Sequence, residues 1–295
     1  MKRLISILSL AALWQAGASW AQLAPYNEMG VTWGHLHLIV QDRDKETKSW
    51  LALGGQLGNN LSGNVPISFP GMLILILEGK PSGGSAGSVV DHVAFRVPDL
   101  QASITKWKAA NWGLKIEPGT YLSLPGPISG LGIVTTPAQV KIEILEDKTL
   151  KVPIVFDHAH FFVVESRLKE AGAWYANMFG AKPVKGEQDT YSLPGGKLVF
   201  SKADTPAASP TGRSLDHIGF DVAGSHEGLA AFSKTLEAKG AKFSAPYRRS
   251  EFGNARPMDP FGVVVELTHG QDGYIDYKQI EQEMLPCENR PVKCR

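Results

Sequence analysis

The sequence is short of cysteine, of net charge and, after its first residues, of long hydrophobic runs. Its two cysteines, Cys287 and Cys294, lie close to the end, so thiol catalysis and a cysteine-based zinc site have no support elsewhere in the chain. A formal net charge of +1, with Lys and Arg dispersed, gives no field that would attract nucleic acid or an anionic membrane. The 295 residues, 43% hydrophobic and 20% charged, suit a globular protein with one large or two medium cores.

The first residues have the parts of a secretory signal peptide. A positive start precedes an apolar stretch over residues 4–14, and small residues follow at Ser19 and Ala21. A membrane anchor is the alternative, but the apolar stretch is too short to cross a bilayer. We therefore predict that residues 1–21 are removed and that the protein is periplasmic or secreted, with no membrane association after cleavage. In an oxidising compartment the two cysteines would close a small loop, or else remain free thiols.

Four segments of the chain begin alike. The runs "HLHLIV", "HVAFRV", "HAHFFV" and "HIGFDV" each place a histidine five residues before a valine. Each run is followed by a helix-like segment that reaches a glycine, and then by strand-like runs broken by Gly and Pro. The sequence therefore predicts an α+β fold made of four strand–helix–strand–strand–strand (βαβββ) units.

The same alignment places acidic residues at matching positions. Glu143 and Glu266 occupy one place in the last strand of the second and fourth units, where the first and third units have Leu75 and Phe200. Each half of the chain thus offers two histidines and one glutamate, at nearly equal spacings in the two halves. Such a constellation is hard to obtain by chance and indicates a shared chemical role.

These strand starts, with the helix "AWYANMFGAKP" and the ending "MDPFGVVVELTHG", resemble the vicinal oxygen chelate superfamily, which includes glyoxalase I, extradiol dioxygenases and bleomycin-binding proteins. The resemblance covers nearly all of the chain after the signal. It implies units paired into two cupped, barrel-like glyoxalase/dioxygenase-type domains, at residues 22–149 and 150–272, with a tail at 273–295. It also implies two sites for a divalent metal, formed by His35, His92 and Glu143 and by His158, His217 and Glu266.

Three ligands per site, with no acid from the other unit of each pair, resemble the dioxygenase branch more than the four-ligand glyoxalase branch. Three protein ligands leave coordination positions open for adjacent oxygens of a substrate. The resemblance thus implies an enzyme acting on a small oxygen-rich substrate chelated to a metal, Fe²⁺ or Mn²⁺ before Zn²⁺ or Ni²⁺. Dioxygenase-like oxidation is expected first, and lyase or isomerase chemistry second. The alternatives are a metal-free small-molecule binding protein of the bleomycin-resistance kind, or activity in the C-terminal half alone.

A second histidine follows the first by two residues in the first and third units, as His37 and His160. Side chains two apart in a strand share a face, so both are predicted to line the cup as catalytic acids or bases. A polar lining role is equally open, and His160 is an alternative ligand to His158. The predicted substrate-binding residues, on segments within reach of the cup, are Tyr191, Tyr247 and Arg256.

Strand alternation makes a further prediction about three aspartates. Asp91, Asp157 and Asp216 each directly precede one of the histidines. Neighbouring residues of a strand point to opposite faces. We therefore expect these carboxylates to point away from the metal and to be solvated at strand edges.

Overall fold

The computed structural model describes residues 23–58, 63–117, 120–121 and 128–271. The predicted signal peptide at 1–21 and the tail with both cysteines lie outside the described residues. The described chain alternates strands and helices as predicted, and the α+β fold of four βαβββ units is confirmed.

Each unit has one α-helix between its first strand and the strands that follow. Unit 1 consists of β1 (Val31–Val40), α1 (Arg43–Leu53), β2 (Gln56–Leu57), β3 (Val65–Phe69) and β4 (Met72–Glu78). Unit 2 consists of β5 (Val90–Val97), α2 (Leu100–Ala110), β6 (Lys115–Ile116), β7 (Thr120–Tyr121), β8 (Ile128–Thr135) and β9 (Lys141–Asp147). Unit 3 consists of β10 (Val155–Val164), α3 (Leu168–Phe179), β11 (Lys182–Pro183), β12 (Thr190–Leu193) and β13 (Gly196–Ala203). Unit 4 consists of β14 (Leu215–Val222), α4 (His226–Ala238), β15 (Lys242–Arg248), β16 (Asn254–Met258) and β17 (Val265–Thr268).

The helices begin and end at residues suited to those positions. The side chains of Asp42 and Asp99 each accept a backbone N–H in the first turn of α1 and α2, at 3.0 and 2.8 Å. Gly54 and Gly180 end α1 and α3 with positive φ, which glycine adopts without a steric penalty. Within the described residues, no helix is both long and apolar enough to cross a bilayer.

The four units form two sheets, and each sheet combines one unit from each half of the chain. Units 1 and 4 form a sheet in the order β15-β16-β17-β14-β1-β4-β3-β2. Units 2 and 3 form the other, in the order β11-β12-β13-β10-β5-β9-β8-β6, with β7 paired to β8. At each centre the two first strands lie antiparallel, β1 beside β14 and β5 beside β10. The expectation that units consecutive within one half share a cup is therefore wrong.

The connections between units explain this crossed pairing. The shortest connection, residues 148–154, joins units 2 and 3 and keeps them in one sheet. The longer segments 79–89 and 204–214 each pass from one sheet to the other, and backbone hydrogen bonds of 2.8 Å join them side by side. The chain therefore passes from one sheet to the other at its two longer connections. The domain boundary near residue 149 falls in the short connection and stays a prediction.

An aromatic core joins the two sheets. The ring centroid of Trp33 in β1 lies 5.1 Å from that of Phe156 in β10 and 5.1 Å from that of Phe220 in β14. The ring of Phe95 in β5 adds a contact with Phe156 at 5.6 Å. All four rings are buried. Their burial, with edge-to-face packing, stabilises the contact between one sheet and the other.

One extra residue interrupts the strand pairing just before each strand-start histidine. The residues without an opposite partner in these ladders are Gly34, Asp91, Asp157 and Asp216. Such a β-bulge breaks the alternation of faces and re-aims the neighbouring side chains. Trp33 therefore enters the core between the sheets although His35, two residues further on, faces a cavity.

Candidate metal centres

The first cluster of possible ligands, which we call site A, consists of His35, His217 and Glu266. Oε2 of Glu266 lies 3.1 Å from Nε2 of His35 and 2.9 Å from Nε2 of His217. The three residues come from β1, β14 and β17, which are neighbours in the sheet of units 1 and 4. All three are buried. Adjacent strands thus bring three metal-binding groups to one point.

The second cluster, site B, consists of His92, Glu143, His158 and His160. Oε2 of Glu143 lies 3.6 Å from Nε2 of His92 and 3.5 Å from Nε2 of His158. These residues come from β5, β9 and β10, the central strands of the sheet of units 2 and 3. Site B therefore repeats the arrangement of site A and contains one additional histidine.

All six predicted ligands reach one of the two sites, but the predicted grouping is wrong. His92 and Glu143 lie with His158 rather than with His35, and His217 and Glu266 lie with His35 rather than with His158. The reason is the crossed pairing of units. Each first-strand histidine meets the one on the adjacent antiparallel strand, and that strand comes from the other half of the chain.

The aspartates before the histidines hold the imidazole rings. Nδ1 of His92 and of His158 lies 2.7 and 2.8 Å from a carboxylate oxygen of the aspartate directly before it. Asp216 makes the same contact with Nδ1 of His217. The expectation that Asp91, Asp157 and Asp216 point away is wrong, because each lies at a bulge where alternation fails. A carboxylate on Nδ1 orients the ring and leaves Nε2 for a metal.

Site A differs at one histidine, because Gly34 stands where the other units have aspartate. The side chain of Gln271 takes that space: its Nε2 lies 2.6 Å from Nδ1 of His35, and a Cβ atom at Gly34 would collide with its Oε1. Gln271 is fully buried. Gln271 was not predicted from the sequence, although the absence of an aspartate before His35 signals that another group must hold this ring.

The second oxygen of Glu266 is also bound. The guanidinium of Arg256 donates to Oε1 at 3.1 Å, and the side-chain amide of Asn254 donates to the same oxygen. Arg256 thus lies at a site as predicted, whereas Asn254 was not predicted. Glu143 in site B has no arginine or amide contact of this kind among the described residues. The carboxylate of site A is therefore the more firmly oriented of the two.

Both sites hold their glutamate in the ionised form. Burial, the strongest influence, would raise the pKa of Glu266, but hydrogen bonds with His217 and His35 hold that pKa well below its ordinary value. Burial would likewise raise the pKa of Glu143, but hydrogen bonds with His158 and His92 lower it. Burial would lower the pKa values of His217 and His158, but their carboxylate partners raise them. Each site thus presents a charged carboxylate to a cation.

The second histidine of each His-x-His pair is neutral. Burial, followed by the charge of neighbouring histidines, lowers the pKa of His37 and of His160 to about 3. Nε2 of His37 lies 3.0 Å from Oδ1 of Asn64, and Nε2 of His160 lies 2.8 Å from Oγ of Ser201. His37 lines the cavity beside site A, and His160 belongs to site B. Both therefore lie at a site, as their spacing predicts.

The third unit has valine, not phenylalanine, at the position of the acid. In units 2 and 4 the acid lies opposite the strand residue two past the ligand histidine. The matching residues in units 1 and 3 are Leu75 and Val199. The expected match at Phe200 is wrong by one residue, which turns its side chain to the other face of the strand. Its ring packs there against Phe161, at 5.0 Å between centroids.

A cavity of about 250 Å³ opens beside site A. Its polar lining includes His35, His37, Asn64, Arg248, Asn254, Arg256, Glu266 and Gln271. Of the three predicted substrate-binding residues, Arg256 alone belongs to this lining. Tyr191 packs against Phe200 at 6.1 Å, and the hydroxyl of Tyr247 lies 3.5 Å from Nδ1 of His226. The structure therefore does not bring these two tyrosines to site A.

Residues 157–267 match the family model described as the Glyoxalase/Bleomycin resistance protein/Dioxygenase superfamily. The matched segment spans units 3 and 4, so it supplies strands to both sheets and candidate ligands to both sites. The superfamily indicated by the strand starts is thereby supported for this part of the chain. A search of the curated proteins finds no match.

Solved structures are similar to the fold as a whole. Glyoxalase I from Zea mays matches with a TM-score of 0.61 and 14% identity, over 87% of this chain and 97% of that chain. A candidate dioxygenase from Bacillus subtilis subsp. subtilis str. 168 matches with a TM-score of 0.56 and 18% identity, over 90% of this chain and 100% of that chain. At such identities the likeness concerns the fold, and the predicted glyoxalase/dioxygenase-type fold is confirmed.

Proposed function

We propose that this protein is a metal-dependent enzyme of the vicinal oxygen chelate type, with its reaction at site A. The observation that carries the proposal is the convergence of His35, His217 and Glu266 beside a polar cavity. The open three-ligand set favours dioxygenase-like oxidation first and lyase or isomerase chemistry second. Export, predicted from residues 1–21, is part of the proposal and rests on the sequence.

The residues of site A fit a divalent metal. Nδ1 of His217 is held by the carboxylate of Asp216, which leaves Nε2 of that ring to bind an ion. Gln271 lies against Nδ1 of His35, and with its side-chain amide turned so that Oε1 accepts from Nδ1–H, Nε2 of His35 would also be left to bind an ion. Two imidazoles and one carboxylate form the donor set of 2-His-1-carboxylate sites, which keep coordination positions open. A divalent metal held there, Fe²⁺ or Mn²⁺ first and Zn²⁺ or Ni²⁺ second, would act as a Lewis acid and a template for adjacent substrate oxygens.

His37 is placed to accept a hydrogen bond from the substrate. Oδ1 of Asn64 accepts from Nε2 of His37, so the single proton of this neutral ring lies on Nε2. Nδ1 then carries the lone pair, and this buried atom has no partner within the described part of the chain. We assign His37 as the acceptor that orients a substrate hydroxyl at the cavity wall.

The arginines of the cavity favour an anionic substrate. Nε of Arg256 is buried and has no hydrogen-bond partner among the described residues, and Arg248 is exposed at the cavity. The acids of the lining are Glu266 and Glu251, so two arginines and a bound divalent metal leave an excess of positive charge. A small carboxylate, enolate or catecholate with adjacent oxygens would offset that charge and use the planar guanidinium donors.

A metal-free small-molecule binding protein of the bleomycin-resistance kind is the second candidate. The observation that favours it is the set of partners around the carboxylate of Glu266. The donors to its two oxygens are His35, His217, Asn254 and Arg256. A buried carboxylate with that many donors is satisfied without an ion. The cavity would then bind a polar molecule through the same arginines.

Metal content tests the proposal on the full chain, purified without a metal-affinity tag. We expect a metal at site A that is lost in His217→Ala and kept in His226→Ala, a histidine that belongs to neither site. 4-Nitrocatechol, a coloured chelator with two adjacent oxygens, should bind to His226→Ala and not to His217→Ala. Iron would direct the search to O₂ uptake with catechols, and zinc, nickel or manganese to lyase and isomerase screens.

Two measurements would overturn the enzyme proposal. If His217→Ala and His226→Ala hold the same amount of metal after reconstitution with each of the four ions, site A is not a metal centre. Binding of 4-nitrocatechol to the metal-free chain would then support the binding protein.

A further inference from the structure

We infer that site B is a closed metal site with four protein ligands, completed by His160, and that it stabilises the fold rather than binding substrate. This inference goes beyond the proposed function, because it assigns the second site a different task. Its evidence comes from the environment of each histidine in site B.

Each histidine of site B has one ring nitrogen occupied by an oxygen of the protein. Aspartates hold Nδ1 of His92 and of His158, and Ser201 holds Nε2 of His160. The other nitrogens remain for an ion. Among these, Nδ1 of His160 is buried and has no hydrogen-bond partner within the described residues, and Nε2 of His158 is buried with only a long contact of 3.5 Å to Oε2 of Glu143. Buried polar atoms without partners are rare, and a bound ion would satisfy both at once.

The four donors lie close enough to share one ion. One ligand atom from each of His92, Glu143, His158 and His160 lies within 4.8 Å of every other. Site A has three such residues, because His37 is not part of the cluster with His35 and Glu266. Three imidazoles and a carboxylate form a four-coordinate nitrogen and oxygen set, which suits Zn²⁺ in a closed site.

A single neighbouring residue explains why the two His-x-His pairs differ. In unit 3 the ring of Phe162 stacks on His160 at 4.9 Å and 11° between planes. Unit 1 has Ile39 at the matching position, and there His37 stacks on His217 at 4.5 Å and 18° between planes, whereas His160 lies at the same 4.5 Å from His92 but is tilted by 42°. The stacked phenylalanine thus orients His160 towards site B, whereas His37 lies flat against a ligand of site A.

The inference is tested in a Glu266→Gln background, which disables site A and so separates this result from the proposed function. Zn²⁺ is titrated against a chromophoric chelator, and unfolding temperature is measured with and without Zn²⁺. We expect one Zn²⁺ per chain and a rise in unfolding temperature of about 5 °C or more at saturation. 4-Nitrocatechol should not bind to this zinc, because no coordination position is left for it.

His160→Ala in this background should weaken Zn²⁺ binding about 100-fold and remove most of the temperature shift. The matched control is His37→Ala, the equivalent histidine of unit 1, which should leave both quantities unchanged. Ser201→Ala keeps all four ligands and should weaken Zn²⁺ binding about tenfold, even if His160→Ala does not fold. Unchanged Zn²⁺ affinity in His160→Ala or in Ser201→Ala, or stoichiometric 4-nitrocatechol binding at site B, would overturn the inference.

Discussion

Site A and site B share a pair of histidines on adjacent antiparallel strands and a glutamate on the next strand, but their surroundings differ. In site A the glutamate lies within 3.1 Å of both histidines, and Arg256 binds its other oxygen. In site B the corresponding distances are 3.5 and 3.6 Å, and a third histidine joins the cluster. Strand pairing and bulges thus set the ligand positions. Residues from neighbouring strands and loops give the two sites different surroundings.

The largest expected difference concerns the two glutamates. Glu266→Gln removes the charged ligand of site A and should lower metal affinity there by more than about 100-fold, with loss of 4-nitrocatechol binding. Glu143→Gln should leave 4-nitrocatechol affinity within about twofold, because site B does not bind the chelator. Spectral titration of the metal-loaded variants measures both. An equal loss in the two variants would show that the sites do not differ in accessibility.

Substitution of the residues that hold Nδ1 of the histidines should lower metal affinity by a smaller factor, and each substitution should affect one site only. Gln271→Ala frees Nδ1 of His35, and Asp157→Asn weakens the partner of His158, so each should lower metal affinity at its own site about 10- to 100-fold. These affinities are measured by competition titration in variants in which only the site under test can bind a metal. A loss at site B in Gln271→Ala would contradict the assignment of Gln271 to His35.

A carboxylate introduced at the empty acid position should make site A resemble a closed site. Leu75→Glu adds a fourth ligand beside site A, so metal affinity should rise about tenfold while 4-nitrocatechol affinity falls about tenfold. Phe200→Glu is the contrasting variant, because that side chain points into the core. A carboxylate there should lower the free energy of unfolding by about 3 kcal/mol. Urea unfolding of the metal-loaded chains should show the loss for Phe200→Glu and a smaller one for Leu75→Glu, because Leu75 is also buried but lines the cavity, where a bound metal would offset the added charge.

The smallest effect concerns the rim of the cavity. Arg248→Gln should weaken binding of anionic 4-nitrocatechol at site A about fivefold, with a smaller dependence on salt, because one unit of positive charge is lost. Its neighbour Arg249 pairs with Glu227 at 3.0 Å outside the cavity, so Arg249→Gln is the matched control with no expected effect. Metal content should be unchanged in both variants. An equal effect of the two changes would indicate general charge rather than a contact at the cavity.

The repeated strand starts were enough to predict four units, the α+β fold and the six residues that the structure brings together in two clusters, because each of these is local in sequence. The His-x-His spacing also placed His37 and His160 at the sites. These features follow from strand periodicity and from matching positions in four similar units.

The remaining features depend on tertiary contacts. The expected pairing (units 1 with 2 and 3 with 4) and the observed pairing (units 1 with 4 and 2 with 3) both give each sheet one unit with an acid and one without. The positions of the candidate ligands in the sequence therefore do not determine which strands meet. Bulges at Asp91, Asp157 and Asp216 reverse the expected direction of those side chains, and alternation carries no signal for a bulge. Gln271 reaches His35 from the far end of the described chain, a contact that no local pattern encodes.

The crossed grouping of ligands is the central claim, and metal content of two double variants tests it most directly. His92→Ala/His158→Ala removes two ligands of site B, and His35→Ala/His92→Ala removes one ligand from each site. For a chain that binds two metals, the account predicts one metal in the first variant and none in the second. The reverse result, none in the first and one in the second, would show that each site is built within one half of the chain and would contradict the account.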